Sequence, residues 1–214
     1  MVTVTIHGVA QSTCTQRVIA TCNELGVKYQ VVNIDFLAKE HKSPEYIATK
    51  QPFGAIPVLV DEDGTQLFES RAICRYLVAK YGKDSGLVPS QSDLKAYGLF
   101  EQAASIEYSS FDPYAAPLTS ERIFAKMFGR ESDEKLIQKC IDSLNAKMDG
   151  YERILSKQKY LAGDNFTLAD LFHLPYGNFV NQIDPSILGS KPSVKKWWDD
   201  ISSRASWTAA LAEN

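Results

Sequence analysis

Residues 51–73 read QPFGAIPVLVDEDGTQLFESRAI and contain the signals for two strands, a tight turn and the start of a helix. The segments VLV at 58–60 and QLF at 66–68 flank a DEDG sequence whose composition is typical of a hairpin turn. Ser70 then opens a segment with large apolar or aromatic residues at helical spacing, at positions 73, 77 and 81. This stretch therefore predicts a ββα unit.

The residues before this stretch predict a βαβ unit. Val2, Val4 and Ile6 alternate with polar residues, as in a half-buried strand. A helical stripe follows and ends at Gly26, a residue suited to a helix C-cap; its members are Cys14, Val18, Cys22 and Leu25. Residues 27–34 predict a second strand, which should follow a right-handed crossover. The order βαβ then ββα is that of a thioredoxin-like domain, which we place at residues 1–82.

Beyond residue 82 the chain changes character. Residues 83–92 are mostly polar and include Gly86 and Pro89, so they predict a linker. Residues 93–214 predict helices, including a long one with an apolar stripe formed by Ile137, Ile141, Leu144, Met148, Tyr151 and Leu155. Pro113 and Pro117 are expected to break a helix that begins near Asp93. The predicted fold class is α/β plus all-α: an N-terminal thioredoxin-like domain followed by an all-helical C-terminal domain.

The composition and the missing motifs exclude several classes of function. The 214 residues have a net charge of -3, so neither nucleic acid nor an anionic membrane is an expected partner. The N-terminus lacks the features of a secretory signal, and no apolar run reaches the ~20 residues that span a bilayer. Four dispersed cysteines indicate reduced thiols in a cytoplasmic protein, and three scattered histidines indicate no metal site. Motifs for dinucleotides, P-loop nucleotides and serine hydrolases are absent.

Small features of the first domain are the remaining candidates for chemistry. The loop GVAQSTCT, residues 8–15, enters a helix N-terminus, where unpaired N–H groups attract anions. Ser12 in this loop is either an ordinary N-cap or a ligand-binding hydroxyl. Pro57 is either a plain edge residue or a cis-proline in a tight bend. Glu69 and Ser70 are either the solvated start of a helix or a polar binding pair.

Motifs along nearly the whole chain bear on these alternatives. They are HK at 41–42, QPFGAIP at 51–57, LFESRAI at 67–73, FDP at 111–113, IF at 123–124, YLAGDNFTLADL at 160–171 and PSVKKW at 192–197. In their order and spacing they resemble the cytosolic glutathione transferases, and the phi class in particular. The resemblance implies an enzyme that uses glutathione as co-substrate, with no metal.

The resemblance also implies a role for each matching residue. Ser12 would be the catalytic residue, donating its hydroxyl to the glutathione sulfur and holding it as a thiolate. His41 and Lys42 would meet the glycyl carboxylate, and the backbone of Ile56, before a cis Pro57, would pair with the cysteinyl part. Glu69 and Ser70 would hold the γ-glutamyl end through its ammonium and carboxylate groups. The chain departs from the phi pattern at Ala55, where members often carry Gln, so one side-chain contact to the ligand is missing.

Cys14 is the alternative nucleophile near Ser12. Transferases of the omega kind place a cysteine at the first helix and carry out thiol reductase chemistry. Here the matching position is Ser12, and Cys14 is in phase with Val18 and Cys22. We therefore expect Cys14 to face the core and to be inert.

An electrophile pocket is expected between the two domains. Its candidate residues are Gln11, Phe36, Phe111, Phe124 and Met127, although aromatic and Met residues at helical spacing are also typical of a core. The apolar lining predicts small hydrophobic electrophiles as substrates. The sequence predicts no order of preference between conjugation and glutathione peroxidase activity.

Two other functions and an oligomeric state follow from the resemblance. Transferase-like chains also serve as non-catalytic carriers of apolar ligands or as interaction modules, and both remain alternatives to the enzyme. A homodimer is expected. Arg71 and Arg75 on one predicted helix, with Glu101 and Glu107 on another, offer charges of both signs across a two-fold contact.

Overall fold

A computed structural model describes residues 4–213, and these form two compact units. One unit runs up to Leu87 and resumes at Ala205, and the other is Val88–Arg204. Val2, which belongs to the predicted first strand, lies outside the described residues. The change of unit falls within the linker predicted at 83–92.

The first unit is built on a four-stranded sheet in the order β2-β1-β3-β4. Its strands are β1 Val4–Gly8, β2 Tyr29–Asn33, β3 Val58–Asp61 and β4 Gln66–Phe68. β1 and β2 are parallel, and β3 is antiparallel to both β1 and β4. Alternation along β1 buries Val4 and Ile6 on one face, as the sequence pattern predicts. The predicted βαβ and ββα units are therefore confirmed.

The helices of the first unit begin and end at residues that are suited to capping. They are α1 Thr13–Leu25, α2 Pro44–Thr49 and α3 Ser70–Tyr81. α1 ends at Gly26, which has a left-handed φ of 64°, so the predicted C-cap is confirmed. α2 was not predicted; Ser43 caps it by accepting a hydrogen bond from the Tyr46 N–H at 3.1 Å.

The predicted helical domain, 93–214, differs from the structure at its C-terminal end. α12 Ala205–Ala212 belongs to the first unit and packs on α1. The Asn23 side-chain amide donates to the Ser206 carbonyl at 3.0 Å, and the Tyr29 hydroxyl donates to the Glu213 carboxylate at 3.0 Å. These contacts join residues more than 180 positions apart in sequence, and no local pattern predicts them.

The second unit is helical throughout its described elements. They are α4 Leu94–Ile106, α5 Asp112–Thr119, α6 Ala125–Met127, α7 Glu134–Leu155, α8 Leu168–Leu171, α9 Leu174–Ile183, α10 Pro185–Gly189 and α11 Pro192–Ser202. The stripe predicted for the long helix lies on α7, where Ile137, Leu144 and Met148 are buried. Together with the sheet of the first unit, this confirms the predicted fold class.

Pro113 and Pro117 were expected to break a helix, but the structure shows no break at either proline. π-helical turns at Glu107–Phe111 and Ser120–Phe124 connect α4, α5 and α6. Pro113 lies in the first turn of α5, where its missing N–H costs little, and Pro117 lies inside α5. The chain therefore stays helical through both prolines. Glu107, which we expected at the surface, is 0% exposed and therefore is not available as a surface charge.

A buried carboxylate organises the 160–171 motif of the second unit. Asp170 accepts hydrogen bonds from the backbone N–H groups of Leu161 and Thr167, each at 3.0 Å, and from the Trp197 indole at 2.9 Å. With Thr167 it forms the capping box of α8.

Among residues 4–213, no helix is both long and apolar enough to cross a membrane.

Candidate active site

Three segments of the first unit meet at one end of the sheet. His7 near the end of β1 lies opposite Val58 at the start of β3, so the loop after Gly8 lies beside the chain at Pro57. Val58 also lies opposite Phe68 at the end of β4, so Glu69 leaves the sheet at the same end. The sheet thus gathers the segments that carry Ser12, Pro57 and Glu69.

Ser12 stands at the N-cap position of α1. Its backbone is extended, with φ -67° and ψ 132°, and its carbonyl accepts a hydrogen bond from the Gln16 N–H at 2.8 Å. Its hydroxyl makes no capping hydrogen bond among the described residues, and the side chain is only half-buried. The N-cap interpretation therefore accounts for the backbone of Ser12 and leaves its hydroxyl available to a ligand.

Arg17 lies beside the candidate site and was not predicted from the sequence. It lies on α1 with 0% exposure, and its guanidinium donates to the Ser70 hydroxyl oxygen at 2.9 Å. Ser70 is itself buried at the start of α3, so this bond ties α3 to the helix that follows Ser12. One signal was present in the sequence: Arg17 adjoins Val18 on the predicted apolar stripe, where a charged side chain needs a buried partner.

Glu69 has an unusual backbone at the turn into α3. Its φ is 70° and its ψ is 101°, a region that residues other than glycine seldom adopt. The Glu69 carbonyl accepts a hydrogen bond from the Ile73 N–H at 2.9 Å, which begins the helix, and the side chain is exposed. Such strain persists where the surrounding structure enforces it, and it is frequent at ligand sites.

The loop at 51–57 contacts the segment that precedes it in the chain. The peptide bond between Ile56 and Pro57 is cis, which confirms one of the two interpretations of Pro57. Gly54 has a φ of 59°, and a Cβ there would lie 2.7 Å from the His41 carbonyl oxygen. The Lys42 ammonium donates to the Phe53 carbonyl at 3.2 Å. The His41-Lys42 segment therefore contacts the loop that carries Ile56.

His41 is buried, and its ring stacks on Phe36 with the centroids 4.0 Å apart. Burial, and secondly the charge of Lys42, lower the pKa of His41 below its ordinary value, so the ring is neutral at physiological pH. Its Nδ1 is buried and has no hydrogen-bond partner among the described residues. A neutral imidazole can act as a hydrogen-bond donor to a carboxylate.

The thiols differ from one another in exposure. Cys14 is only partly buried at the start of α1, with its Sγ 3.7 Å from a nitrogen of the buried Arg17. Cys22 and Cys74 are buried, and burial raises the pKa of Cys74 to about 11, so this thiol is not reactive. The expectation of a fully buried thiol is therefore wrong for Cys14, although the thiol lies on the predicted face of α1.

The candidate electrophile-binding residues occupy different environments. Gln11 is exposed, and its amide lies 3.5 Å from the Glu213 carbonyl; Phe36 is 38% exposed. In the second unit, Phe111 is 1% exposed and its ring contacts His173, so its position favours the core interpretation. Phe124 packs edge-on against Phe179, and Met127 is 68% exposed.

Within the described residues, no cluster of three or more His, Cys, Asp or Glu is arranged to hold a metal ion.

Comparison with known proteins identifies the family. Two family models match: the glutathione S-transferase N-terminal domain at residues 2–79 and the C-terminal domain at residues 95–205. The chain belongs to the glutathione S-transferase family. A relative from Arabidopsis thaliana, glutathione S-transferase PM239X14, is 65% identical over 198 residues, which are 92% of this chain and 91% of the relative.

Solved structures of this family are similar over almost the full length. Glutathione transferase F7 from Populus trichocarpa has a TM-score of 0.92 at 36% identity and covers 98% of both chains. Maize glutathione S-transferase I, solved with an atrazine glutathione conjugate, has a TM-score of 0.89 at 31% identity and covers 98% of this chain and 97% of its own.

The relatives confirm the predicted family, its phi class and its enzymatic function. They are plant glutathione transferases of the phi (F) class, and the function of this chain is that of a glutathione transferase. Nothing among these relatives supports the non-catalytic carrier or the interaction module. The roles of individual residues remain predictions.

Proposed function

We propose that this transferase binds glutathione at the sheet end described above and that the Ser12 hydroxyl donates a hydrogen bond to its sulfur. The observation that carries the proposal is the position of Ser12. It stands at the N-terminus of the 13-residue helix α1, with a hydroxyl that the helix does not use for capping. An anionic sulfur at this position gains from both the hydroxyl and the positive end of the helix.

The size of these two effects matches the requirement. A free thiol has a pKa of about 8.5, and lowering it by roughly two units requires about 2.7 kcal/mol. A hydrogen bond to a charged acceptor supplies about 1.5–3 kcal/mol, and the helix N-terminus adds up to roughly 1 kcal/mol. The thiol proton leaves to solvent, so no general base is needed. The thiolate then attacks the electrophile to form a C–S bond as the leaving group departs.

The remaining contacts of glutathione follow the chemistry of the site. His41 and Lys42 bind the glycyl carboxylate, through an imidazole donor and an ammonium group. The backbone of Ile56, before Pro57, pairs with the cysteinyl peptide group. Glu69 and Ser70 bind the γ-glutamyl ammonium and carboxylate groups.

The second substrate is a small hydrophobic electrophile. The maize relative was solved in complex with an atrazine glutathione conjugate, which supports conjugation of glutathione to a second, small-molecule substrate. Gln11 and Phe36 are the candidate contacts from the first unit, and Phe124 and Met127 from the second. Conjugation of such compounds is a detoxification reaction, and reduction of peroxides by the same thiolate is a second activity to assay.

We also propose a cytoplasmic homodimer. Reduced, unpaired cysteines suit the cytoplasm. Each unit exposes large apolar side chains, Phe53 at 74% in the first and Leu94 at 78% in the second, and such side chains are often covered by a partner.

The substitution Ser12→Ala tests the proposed chemistry. We expect the pKa of bound glutathione to rise and turnover at neutral pH to fall roughly ten- to a hundred-fold, because a hydrogen bond of about 1.5–3 kcal/mol is lost. Ultraviolet absorbance of the thiolate and an aryl-halide conjugation assay measure the two effects.

Cys14→Ser is the matched control, since Cys14 lies two residues away in the same turn. It should change turnover much less than Ser12→Ala. Unchanged absorbance and rate in Ser12→Ala would exclude Ser12 from the mechanism, and a larger loss in Cys14→Ser would assign the chemistry to the cysteine.

A further inference from the structure

The peptide group that joins Ala55 to Ile56 is held by a buried hydroxyl. The Tyr46 hydroxyl donates to the Ala55 carbonyl at 3.0 Å. That carbonyl and the Ile56 N–H belong to one planar peptide group, so fixing the oxygen also fixes the direction of the N–H. Ala55 is exposed, so without Tyr46 water would satisfy its carbonyl in other orientations.

The other side of Ala55 is held by Gln51. Gln51 is 2% exposed, and its side-chain oxygen accepts from the Phe53 N–H at 2.6 Å and from the Ala55 N–H at 3.3 Å. The Gln51 N–H in turn donates to the Tyr46 carbonyl at 3.1 Å. Two neighbouring buried side chains thus hold the N–H and the C=O of the same loop residue.

Tyr46 is itself rigidly placed. It is 5% exposed and packs in a small apolar cluster with Ile34, Val58 and Ile56. Burial, with a smaller contribution from the charge of Glu40, raises the pKa of Tyr46 to about 12. The hydroxyl is therefore protonated, and able to donate, throughout the physiological range of pH.

We infer that Tyr46 is a positioning residue for glutathione recognition: its hydroxyl orients the Ala55–Ile56 peptide group toward the cysteinyl part of the tripeptide. Gln51 supports the same loop from its other side. Tyr46 does not touch the substrate and acts through the backbone. The inference rests on the proposed role of the Ile56 backbone, and it explains how that backbone contact stays ordered where Ala55 supplies no long side chain of its own.

The substitution Tyr46→Phe removes the hydroxyl and keeps the ring that packs in the cluster. We expect the KM for glutathione to rise about fivefold, because a neutral hydrogen bond that orders the loop is lost. The kcat and the KM for the electrophile should stay unchanged, because Ser12 and the second substrate are not affected. The Kd for S-methylglutathione, measured by calorimetry, should rise by the same factor, since the contact does not involve the thiol.

Tyr76→Phe is the matched control. The Tyr76 hydroxyl donates to the Asp61 carboxylate at 2.6 Å, in the same unit but at the opposite end of β3. Its loss should lower the melting temperature without changing the KM for glutathione. Equal KM values in Tyr46→Phe and the wild type, or equal increases in both variants, overturn the positioning role. Failure of the proposed glutathione site is distinguishable, because then Glu69→Gln as well as Tyr46→Phe would bind S-methylglutathione with the Kd of the wild type.

Discussion

Glu69 combines a strained backbone with an exposed carboxylate. Its φ of 70° costs about 1–3 kcal/mol, a cost that Gly at this position would avoid. Behind it, Ser70 is buried and bonded to Arg17, so the backbone at this turn is held in place. The strain has a simple account if the Glu69 side chain is needed to bind the ammonium group of glutathione.

The substitution Glu69→Gln removes this charge and keeps the shape of the side chain. We expect the Kd for glutathione to rise roughly ten- to a hundred-fold, because a charge-assisted hydrogen bond is worth about 1.5–3 kcal/mol. The kcat at saturating glutathione should change much less, since Glu69 does not contact the sulfur.

Calorimetric titration with glutathione measures this effect, and Glu62→Gln is a suitable control. Glu62 is an exposed carboxylate of the turn between β3 and β4, outside the candidate site. A Kd that is the same in Glu69→Gln and in the wild type would contradict the role of Glu69.

The segment between α2 and β3 shows how a short loop depends on one glycine. Gly54 is buried and has a φ of 59°, and a Cβ there would lie 2.7 Å from the His41 carbonyl oxygen and 3.0 Å from the Lys42 Cδ. Gly26, at the end of α1, has a similar φ of 64°, but nothing lies within 4 Å of a Cβ built on it. Comparing an alanine substitution at each glycine therefore separates the free-energy cost of the backbone angle from the cost of a steric clash.

We expect Gly26→Ala to destabilise the protein by about 1–2 kcal/mol and to leave glutathione binding unchanged, because only the backbone angle is strained. Gly54→Ala should destabilise it further and also weaken glutathione binding, because the His41-Lys42 segment has to move away from the new methyl group. Urea unfolding and calorimetry measure the two quantities. Equal stability and equal affinity in the two variants would show that the loop adapts without displacing His41.

Association of two copies of the chain depends on the charged and apolar side chains that it exposes. Glu107 was expected to pair with an opposite charge across a two-fold axis, but it is buried and cannot do so. Exposed ion pairs contribute only about 0–1 kcal/mol each, whereas burial of apolar surface contributes roughly 25 cal/mol per Å². Exposed side chains such as Phe53 and Leu94 are therefore the more effective source of association energy.

We predict a homodimer at micromolar concentration that persists in 1 M salt, because screening weakens ion pairs and not apolar contacts. Light scattering at low and high salt should give about twice the 23.8 kDa of one chain in both conditions. A mass near 23.8 kDa at low salt would contradict the dimer, and dissociation only at high salt would instead indicate association through charges.

Local chemistry was enough to predict most of the elements. Alternation predicted β1, a DEDG turn predicted the β3–β4 hairpin, and the apolar stripe predicted α7, because each signal repeats within a few residues. Gly26 predicted the end of α1, since only a residue without a side chain adopts its angle at low cost. At Ser12 local chemistry left two alternatives, an ordinary N-cap and a ligand-binding hydroxyl, and the catalytic role was implied only by the resemblance to glutathione transferases.

The interactions that hold the site in place depended on the tertiary structure. Arg17 bonds to Ser70 and Tyr46 to Ala55, and each of these polar side chains had many potential partners in the sequence. Burial decides such pairings, since a polar group removed from water must bond to whatever acceptor the fold brings within about 3 Å. For the same reason α12 joined the first unit rather than the helical one: its contacts with α1 exist only once the chain has returned to the sheet.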